Sequence, residues 1–104
     1  MQFLNRIQKG YRQKVGYHND LHGADVAQFM FLLIQDAHLG KMASLRYMDL
    51  FCALISAVCH DYDHDGFNNA FHVNIMSARA LRYHDESVQE NYHAAESISV
   101  MLDP

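Results

Sequence analysis

Residues 60–66, His-Asp-Tyr-Asp-His-Asp-Gly, place two imidazoles and three carboxylates side by side, directly after a strongly apolar run. Carboxylates crowded at a buried helix end are unfavourable unless a cation neutralises them. The chain also contains eight histidines in 104 residues, and neutral imidazole is the commonest protein ligand for transition metals. The segment therefore predicts a bound divalent metal and metal-dependent hydrolysis.

Pairs of ligand-type residues spaced three or four apart occur at three places: His18 with His22, His60 with His64, and Glu90 with His93. On a helix such pairs project from one face, roughly 5–6 Å apart at Cβ. Pairs on separate helices are how helical bundles assemble metal sites in their cores. Asp61 adjoins His60, so it can reach the same cation or bridge to a second one.

The ligand types indicate which metals to expect. Imidazole with carboxylate, and no thiolate pair, suits Zn²⁺, Fe²⁺ or Mn²⁺, whereas a second site of carboxylates and water suits Mg²⁺ or Mn²⁺. Two such ions roughly 3.5–4 Å apart are a common solution for phosphoester hydrolysis. They lower the pKa of the attacking water and neutralise charge on the phosphoryl oxygens.

The helices that must position these groups follow from apolar spacing, which predicts an all-α, compact multi-helix bundle. One helix is expected over 26–37, ending near Gly40, and a central helix, covered on most sides, over 48–58. Short helices are expected over 69–75 and 77–82. Ser87 to Glu90 predict a capping box that opens a last helix over 88–102, with Val88, Ala95, Ile98 and Leu102 on its apolar face. Because the central helix needs more apolar cover, we expect the chain to be part of a larger domain.

Composition narrows the class of protein. Half of the residues are hydrophobic, the net charge is −4, and no basic block favours nucleic-acid binding. Cys52 and Cys59 lie seven apart on one predicted helix, roughly 10 Å, which is too far for a disulfide. We expect both to be reduced core residues in a cytoplasmic protein. No segment reaches the roughly 20 apolar residues of a membrane span.

Three motifs give a more specific indication. Residues 17–26, Tyr-His-Asn-Asp-Leu-His-Gly-Ala-Asp-Val, resemble the YHNxxHAxDV motif of the class I 3′,5′-cyclic nucleotide phosphodiesterases. Residues 60–69 are similar to that family's HDxxHxGxxN signature, and residues 80–93 to its ALxYNDxSVLENHH segment. The motifs stand in the family's order. Residues 1–104 thus resemble the N-terminal part of such a catalytic domain, an incomplete bundle of the HD/phosphodiesterase type.

The resemblance implies a role for each matching residue. His18 would be the general acid that protonates the departing O3′ of the ribose. The ligands of the tighter metal would be His22, His60 and Asp61, with Asp61 also contacting the second ion. His64 and Glu90 would orient groups around the metals without binding them, and Tyr17 would line the substrate pocket. Two divalent metals are expected, Zn²⁺ at the tight site and Mg²⁺ or Mn²⁺ at the second.

Some assignments have two explanations. Glu90 has a second explanation as a capping-box residue that needs no metal, and His93 is open between bracing the fold and function. The chain departs from the family pattern at four positions: Gly23, Asp65, His84 and Tyr92. Of these, Asp65 is read as a solvated loop acid that adds an anion near the site.

The implied activity is hydrolysis of cAMP, cGMP or both to the 5′-monophosphate in signal transduction. The family's last metal-binding Asp, its purine-selecting Gln and its aromatic clamp come from a later region that this chain lacks. The partners expected are therefore the substrate and the rest of the catalytic domain, and homodimerisation is left open. Two alternatives stay open as well: an HD-type metallohydrolase with another phosphoester substrate, and a truncated fragment without activity.

Overall fold

The computed structural model describes residues 2–103, and of residues 39 and 40 only the backbone. The described residues form α1 (Gln2–Gly10), α2 (Asp20–Gln35), α3 (Leu39–Met42), α4 (Tyr47–Cys59), α5 (Asn69–Asn74), α6 (Ala78–Arg82) and α7 (Val88–Leu102). No strand occurs within residues 2–103, which confirms the predicted all-α class. Within the same range, no helix is long and apolar enough to cross a membrane.

Side-chain caps fix the start of three helices. The Asn19 side chain accepts hydrogen bonds from the first amides of α2, at 3.1 and 3.3 Å. Asn68 caps α5 by accepting from the Phe71 amide at 2.9 Å, and Ser77 caps α6 by accepting from the Ala80 amide at 3.1 Å. Short polar side chains satisfy orphan amides in this way. The two predicted short helices are confirmed.

The predicted end of α2 is wrong. The helix begins earlier than expected, at Asp20, and ends at Gln35, while Gly40 lies inside the short helix α3. The left-handed backbone expected of a glycine is adopted by His38 instead, with φ of 52°. Gly40 resembled a stop signal because glycine has this conformational freedom, but the turn occurs two residues earlier.

The bounds predicted for α7 are confirmed, but the capping box is not. Ser87 has a left-handed backbone, with φ of 43°, and its side chain makes no cap hydrogen bond. Asn69 of α5 caps the helix from across the fold: its side-chain oxygen accepts from the Gln89 amide and its amide donates to Glu90, each at 2.9 Å. A partner distant in sequence thus replaces the local one.

The apolar face predicted for α7 is confirmed for Val88, which is buried, but is wrong for Ile98 and Leu102. Ile98 and Leu102 are 51% and 78% exposed. The residues that α7 buries are Val88, Gln89, His93 and Ser97, which are mostly polar. On this face Gln89 is hydrogen-bonded to Asp65 and Arg79, and His93 to the Tyr62 carbonyl oxygen.

Helices α2 and α4 lie against each other, and α7 contacts α1, α4, α5 and α6. The core is small, with a buried cluster of Ile7, Tyr11 and Cys59. Both cysteines are free thiols, as predicted, but Cys52 is exposed and is not a core residue of this chain.

Apolar cover is incomplete within the chain. Tyr47, Met48 and Phe51 of α4 are 93%, 65% and 59% exposed, so the expected cover of this helix reaches only its C-terminal half. The radius of gyration is 15.1 Å, against about 13 Å for a self-contained domain of 100 residues. Both observations agree with the prediction that the chain is part of a larger helical domain.

Candidate metal centre

One donor atom from each of His22, His60 and Asp61 forms the corner of a small triangle. His60 Nε2 lies 3.2 Å from His22 Nε2, and the Asp61 Oδ2 atom lies 3.2 Å from His22 Nε2 and 3.1 Å from His60 Nε2. Three ligands at about 2.0–2.2 Å from one ion are about 3.0–3.4 Å from each other. The spacing therefore fits a divalent ion, and a nitrogen and oxygen donor set fits Zn²⁺, Fe²⁺ or Mn²⁺.

Two packed helices supply this triangle. His22 lies in the first turn of α2, whose start Asn19 fixes, and His60 follows the last residue of α4. The His60 Nδ1 donates to the Ala57 carbonyl oxygen at 2.8 Å, which leaves a lone pair on Nε2 when the ring is neutral. The ring thus directs an acceptor atom toward His22 and Asp61.

The electrostatics of the triangle favour positive charge. The Asp61 carboxylate raises the pKa of His60, against the opposing effect of burial. Burial would raise the pKa of Asp61, but His60, His18 and His64 outweigh it and the pKa is lowered. The Asp61 side chain is only 15% exposed, so water screens the carboxylate little. A cation at this point, whether a proton or a metal, is stabilised.

Tyr11 supports the site, and sequence reasoning missed it. Its hydroxyl donates to the Val58 carbonyl at 3.0 Å and accepts from the Asp61 amide at 3.4 Å. Burial is the main cause that raises the pKa of Tyr11 to about 12. A Cβ at Gly23 would lie 3.0 Å from the Tyr11 ring, so the glycine that departs from the family pattern makes room for this tyrosine.

A cavity of about 400 Å³ lies beside the triangle. The His18 ring stacks on the His64 ring, with centroids 3.9 Å apart, and His64 in turn lies parallel to His93 at 5.2 Å. Burial, reinforced by the adjacent His18, lowers the pKa of His64 to about 4. His64 is therefore neutral near neutral pH. The cavity brings together residues that the sequence singled out separately: His18, Asp61, His64, Asn69, Glu90 and His93.

Glu90 and Tyr17 lie at the margins of the site. The Glu90 carboxylate accepts from Asn69, and this hydrogen bond is the main cause that lowers its pKa. Tyr17 is 66% exposed and contacts the His18 and His22 rings, with centroids 4.9 and 4.6 Å away. It lines an open groove of about 440 Å³ beside His22. Neither residue belongs to the triangle of His22, His60 and Asp61.

The prediction that Asp65 is a solvated loop acid is wrong. Its side chain is 15% exposed and accepts from Gln89 Nε2 at 2.9 Å, with Arg79 at 3.3 Å and His72 at 3.2 Å. Burial would raise the pKa of Asp65, but the Phe67 amide and these three side chains lower it. Arg79 offsets the extra anion, and it carries no motif signal in the sequence.

Tyr92, another departure, belongs to the same polar cluster. Its hydroxyl donates to Asp63 at 2.6 Å, and the Arg79 guanidinium lies 3.5 Å from the centre of its ring. Arg12 adds a 2.7 Å ion pair to Asp63. Two of the four departures, Asp65 and Tyr92, are thus joined through one arginine and brace the loop that follows Asp61.

Comparisons with known proteins agree with the motifs. The family model for 3′5′-cyclic nucleotide phosphodiesterase matches residues 17–104. The chain is 40% identical, over 95% of its length, to a dual specificity calcium/calmodulin-dependent 3′,5′-cyclic nucleotide phosphodiesterase 1 of Drosophila melanogaster. It is 36% identical, over 98% of its length, to 3′,5′-cyclic-AMP phosphodiesterase 4 of Dictyostelium discoideum.

The fold matches solved structures as well. The phosphodiesterase domain of a RhoPDE fusion protein from the choanoflagellate Salpingoeca rosetta superimposes with a TM-score of 0.84 at 34% identity, over 98% of this chain and 31% of that one. The chain spans only 12% and 10% of the two curated relatives. It therefore corresponds to part of a phosphodiesterase domain. The chain belongs to the 3′,5′-cyclic nucleotide phosphodiesterase family.

Proposed function

We propose that residues 1–104 are the N-terminal part of a catalytic domain that hydrolyses cAMP, cGMP or both to 5′-monophosphates in signal transduction. The observation that carries the proposal is the convergence of His22, His60 and Asp61 on one point, in a chain of this family. The relatives include a dual specificity enzyme and a cyclic-AMP enzyme, so both nucleotides are proposed as substrates.

In this proposal His22, His60 and Asp61 hold Zn²⁺, and Asp61 also contacts a second ion, Mg²⁺ or Mn²⁺. Such ions supply charge neutralisation at the phosphoryl group and lower the pKa of water. The chain's own contribution is to keep the donor atoms about 3.2 Å apart and largely screened from solvent. The Ala57 and Tyr11 contacts hold His60 and the Asp61 backbone in place.

His18 is proposed to give a proton to the departing O3′. Imidazole exists in both protonation states near neutral pH, which suits a general acid. The stacked, neutral His64 holds one face of the His18 ring, and the Gly66 amide fixes His64 by donating to its Nδ1 at 2.9 Å. Glu90 is proposed to orient groups around the metals, and Tyr17 is proposed to line the substrate pocket.

Steady-state hydrolysis of cAMP, cGMP and a nucleoside monophosphate by the complete protein tests the proposal. Asp61→Ala should lower kcat/KM for the cyclic nucleotide at least about 10³-fold, because the ions contribute several kcal/mol. Glu86→Ala, exposed in the turn before α7, is the matched control and should retain activity. Cleavage of the monophosphate alone would favour an HD-type hydrolase with another substrate.

The 104-residue chain by itself is proposed to be inactive, because three protein ligands and an open groove leave the site incomplete. Adding the chain alone to the same assay checks this point. A cytoplasmic location is proposed with the function, supported by two free thiols, which persist in reducing compartments. Turnover by the isolated chain would contradict the idea that the rest of the domain completes the site.

A further inference from the structure

The loop that follows Asp61 carries two further carboxylates, Asp63 and Asp65, and each is paired with an arginine. Arg12 lies 2.7 Å from Asp63, and Arg79 lies 3.3 Å from Asp65. Arg79 also lies 3.4 Å from Asp63, so the two ion pairs form one network. Its two negative and two positive charges cancel. The loop therefore adds no net charge beside Asp61.

The pair of Asp65 and Arg79 is largely shielded from water, unlike the pair at Arg12. The Asp65 and Arg79 side chains are 15% and 13% exposed, whereas the Arg12 side chain is 46% exposed. Water and salt screen exposed charges strongly and buried charges much less. A charge left unpaired at Asp65 or Arg79 would therefore act over a longer distance than one left unpaired at Arg12.

The shielded pair adjoins the cavity of about 400 Å³ beside the triangle. His64 and Gly66, the neighbours of Asp65 along the chain, both line this cavity. Gln89 lines it as well, and its side chain donates to Asp65 at 2.9 Å and accepts from Arg79 at 2.6 Å. One side chain of the cavity wall therefore contacts both charged groups.

Both charges act on histidines of the cavity wall. Burial is the main cause that lowers the pKa of His64 to about 4, and the Asp65 carboxylate opposes it. Burial is also the main cause that lowers the pKa of His93, and the Arg79 guanidinium adds to that effect. The two groups thus influence the cavity with opposite sign. An anion bound there would be repelled by Asp65 and attracted by Arg79.

We propose that Arg79 maintains affinity for the anionic substrate by neutralising Asp65 beside the cavity. This inference rests on the proposed function, in which the substrate is a cyclic nucleotide with one negative charge. Arg79 is a positioning residue, since it acts through Asp65 and does not contact the substrate. A unit charge roughly 10 Å from an anion, at an effective dielectric constant of about 20, changes an association constant about 10-fold.

Steady-state kinetics of the complete protein with a cyclic nucleotide tests the proposal. Arg79→Met should raise KM about 10-fold and change kcat less than about 2-fold, because the repulsion acts on the bound substrate and the transition state alike. Asp65→Asn should have the opposite effect and lower KM. The double variant, Asp65→Asn with Arg79→Met, should restore the KM of the wild type.

The response of a second anion separates a charge effect from a packing effect. A phosphate monoester such as the 5′-monophosphate product carries about −1.5 to −2 charges at pH 7, against one for the cyclic nucleotide. Arg79→Met should therefore raise the inhibition constant of the product about 30- to 100-fold, more than it raises KM. Equal increases for the two anions would overturn the proposal.

Arg82→Met is the matched control. Arg82 belongs to the same short helix as Arg79 and is exposed, so the variant makes the same change of net charge at a screened position. Its KM and inhibition constant should stay within about 2-fold of the wild type. Increases as large as those of Arg79→Met would show an effect of overall charge and would overturn the proposal.

Two milder variants keep the test decisive if Arg79→Met folds poorly. Arg79→Lys keeps the positive charge and should keep a low KM, and Asp65→Asn leaves Arg79 paired with Asp63. A high KM in Arg79→Lys, or an unchanged KM in Asp65→Asn, would overturn this inference and leave the proposed function intact. A wild-type protein that hydrolyses no cyclic nucleotide would contradict the proposed function itself.

Discussion

The two ends of the α2–α4 pair differ in how far other parts of this chain bury their side chains and supply hydrogen-bond partners. At the site end, residues 57–66 and 88–97, Ala57, His64, Val88 and His93 are buried, and His93 Nε2 is the one buried side-chain atom of the described residues without a hydrogen-bond partner. At the open end, residues 28–54, phenylalanines and methionines of α2, α3 and α4 face outward, and Phe51 is 59% exposed.

This difference shows which structural features the chain determines alone. Hydrogen bonds among residues close in space fix the site end, so its ligand triangle forms within the 104 residues. Apolar burial drives folding but needs a second surface, and the open end lacks one within this chain. Since solved relatives are about three times longer, we expect the rest of the domain to cover the open end.

The largest expected effect comes from removing a buried or exposed apolar side chain at each end and comparing the loss of stability. Phe51→Ala should cost about 3–5 kcal/mol of unfolding free energy in the complete protein, where the ring is expected to be covered. In the isolated chain, where the ring is exposed, the cost should be below about 1 kcal/mol. Urea denaturation of both forms measures the two values.

Val88→Ala is the control for this pair. Val88 is fully buried within the chain, so its loss should cost about 2 kcal/mol in both forms. If Phe51→Ala costs as little unfolding free energy in the complete protein as in the isolated chain, then the open end stays exposed in the complete protein.

The polar cluster at the site end predicts the next largest effect. Arg79 contacts Asp65, Gln89, Asp63 and the ring of Tyr92. Arg79→Met should destabilise the complete protein by about 2–4 kcal/mol, because it leaves the largely buried Asp65 without its guanidinium partner. The measurement is again urea denaturation.

Arg46→Met provides the matched substitution at the open end. In this chain the Arg46 side chain is 85% exposed in its pair with Asp49, so its removal should leave the stability of the isolated chain unchanged, and Arg79→Met is compared with it in that form. Equal effects of the two arginine variants would mean that the cluster around Arg79 contributes no more than a surface ion pair.

Asp65 predicts how stability varies with pH. Its pKa is lower in the folded state than the unfolded value of about 4. Its contribution is therefore complete above about pH 4 and is lost as the pH falls toward the folded pKa. Thermal unfolding between pH 7 and pH 3 should show a smaller decline for Asp65→Asn than for the wild type. Parallel curves would remove Asp65 from this role.

The smallest effect concerns the thiols. In the isolated chain, exposed Cys52 should react quickly with a thiol reagent, whereas Cys59 should react only on unfolding, because it is buried and burial raises its pKa. In the complete protein the labelling of Cys52 should slow if the open end is covered. Mass spectrometry of the labelled peptides separates the two sites. Unchanged rapid labelling of Cys52 would contradict cover at that position.

The sequence predicted those features that depend on neighbours along the chain. The short helices α5 and α6 follow from their local caps, Asn68 and Ser77, and the end of α4 at Cys59 follows from its apolar run. The convergence of His22 with His60 and Asp61 was predicted by the motif resemblance. Its distances depend on the packing of α2 against α4, which no local pattern encodes.

Contacts between distant residues account for what the sequence did not predict. Asp65 was read as solvated because its partners Arg79 and Gln89 lie 14 and 24 residues away and belong to other helices. The capping box predicted at Ser87 is wrong because Asn69, 20 residues earlier, accepts the hydrogen bond from the Gln89 amide. Side-chain partners of this kind appear only when the helices are packed.

The central claim is that His22, His60 and Asp61 bind one ion together. An anomalous difference map from crystals of the complete protein, measured at the absorption edge of the bound metal, tests it most directly. The account predicts a peak about 2.0–2.2 Å from His22 Nε2, His60 Nε2 and an Asp61 carboxylate oxygen. The contradicting result is a map from crystals of active enzyme that has no peak at this position. In that case the three side chains would be hydrogen-bonded to each other and would bind no ion.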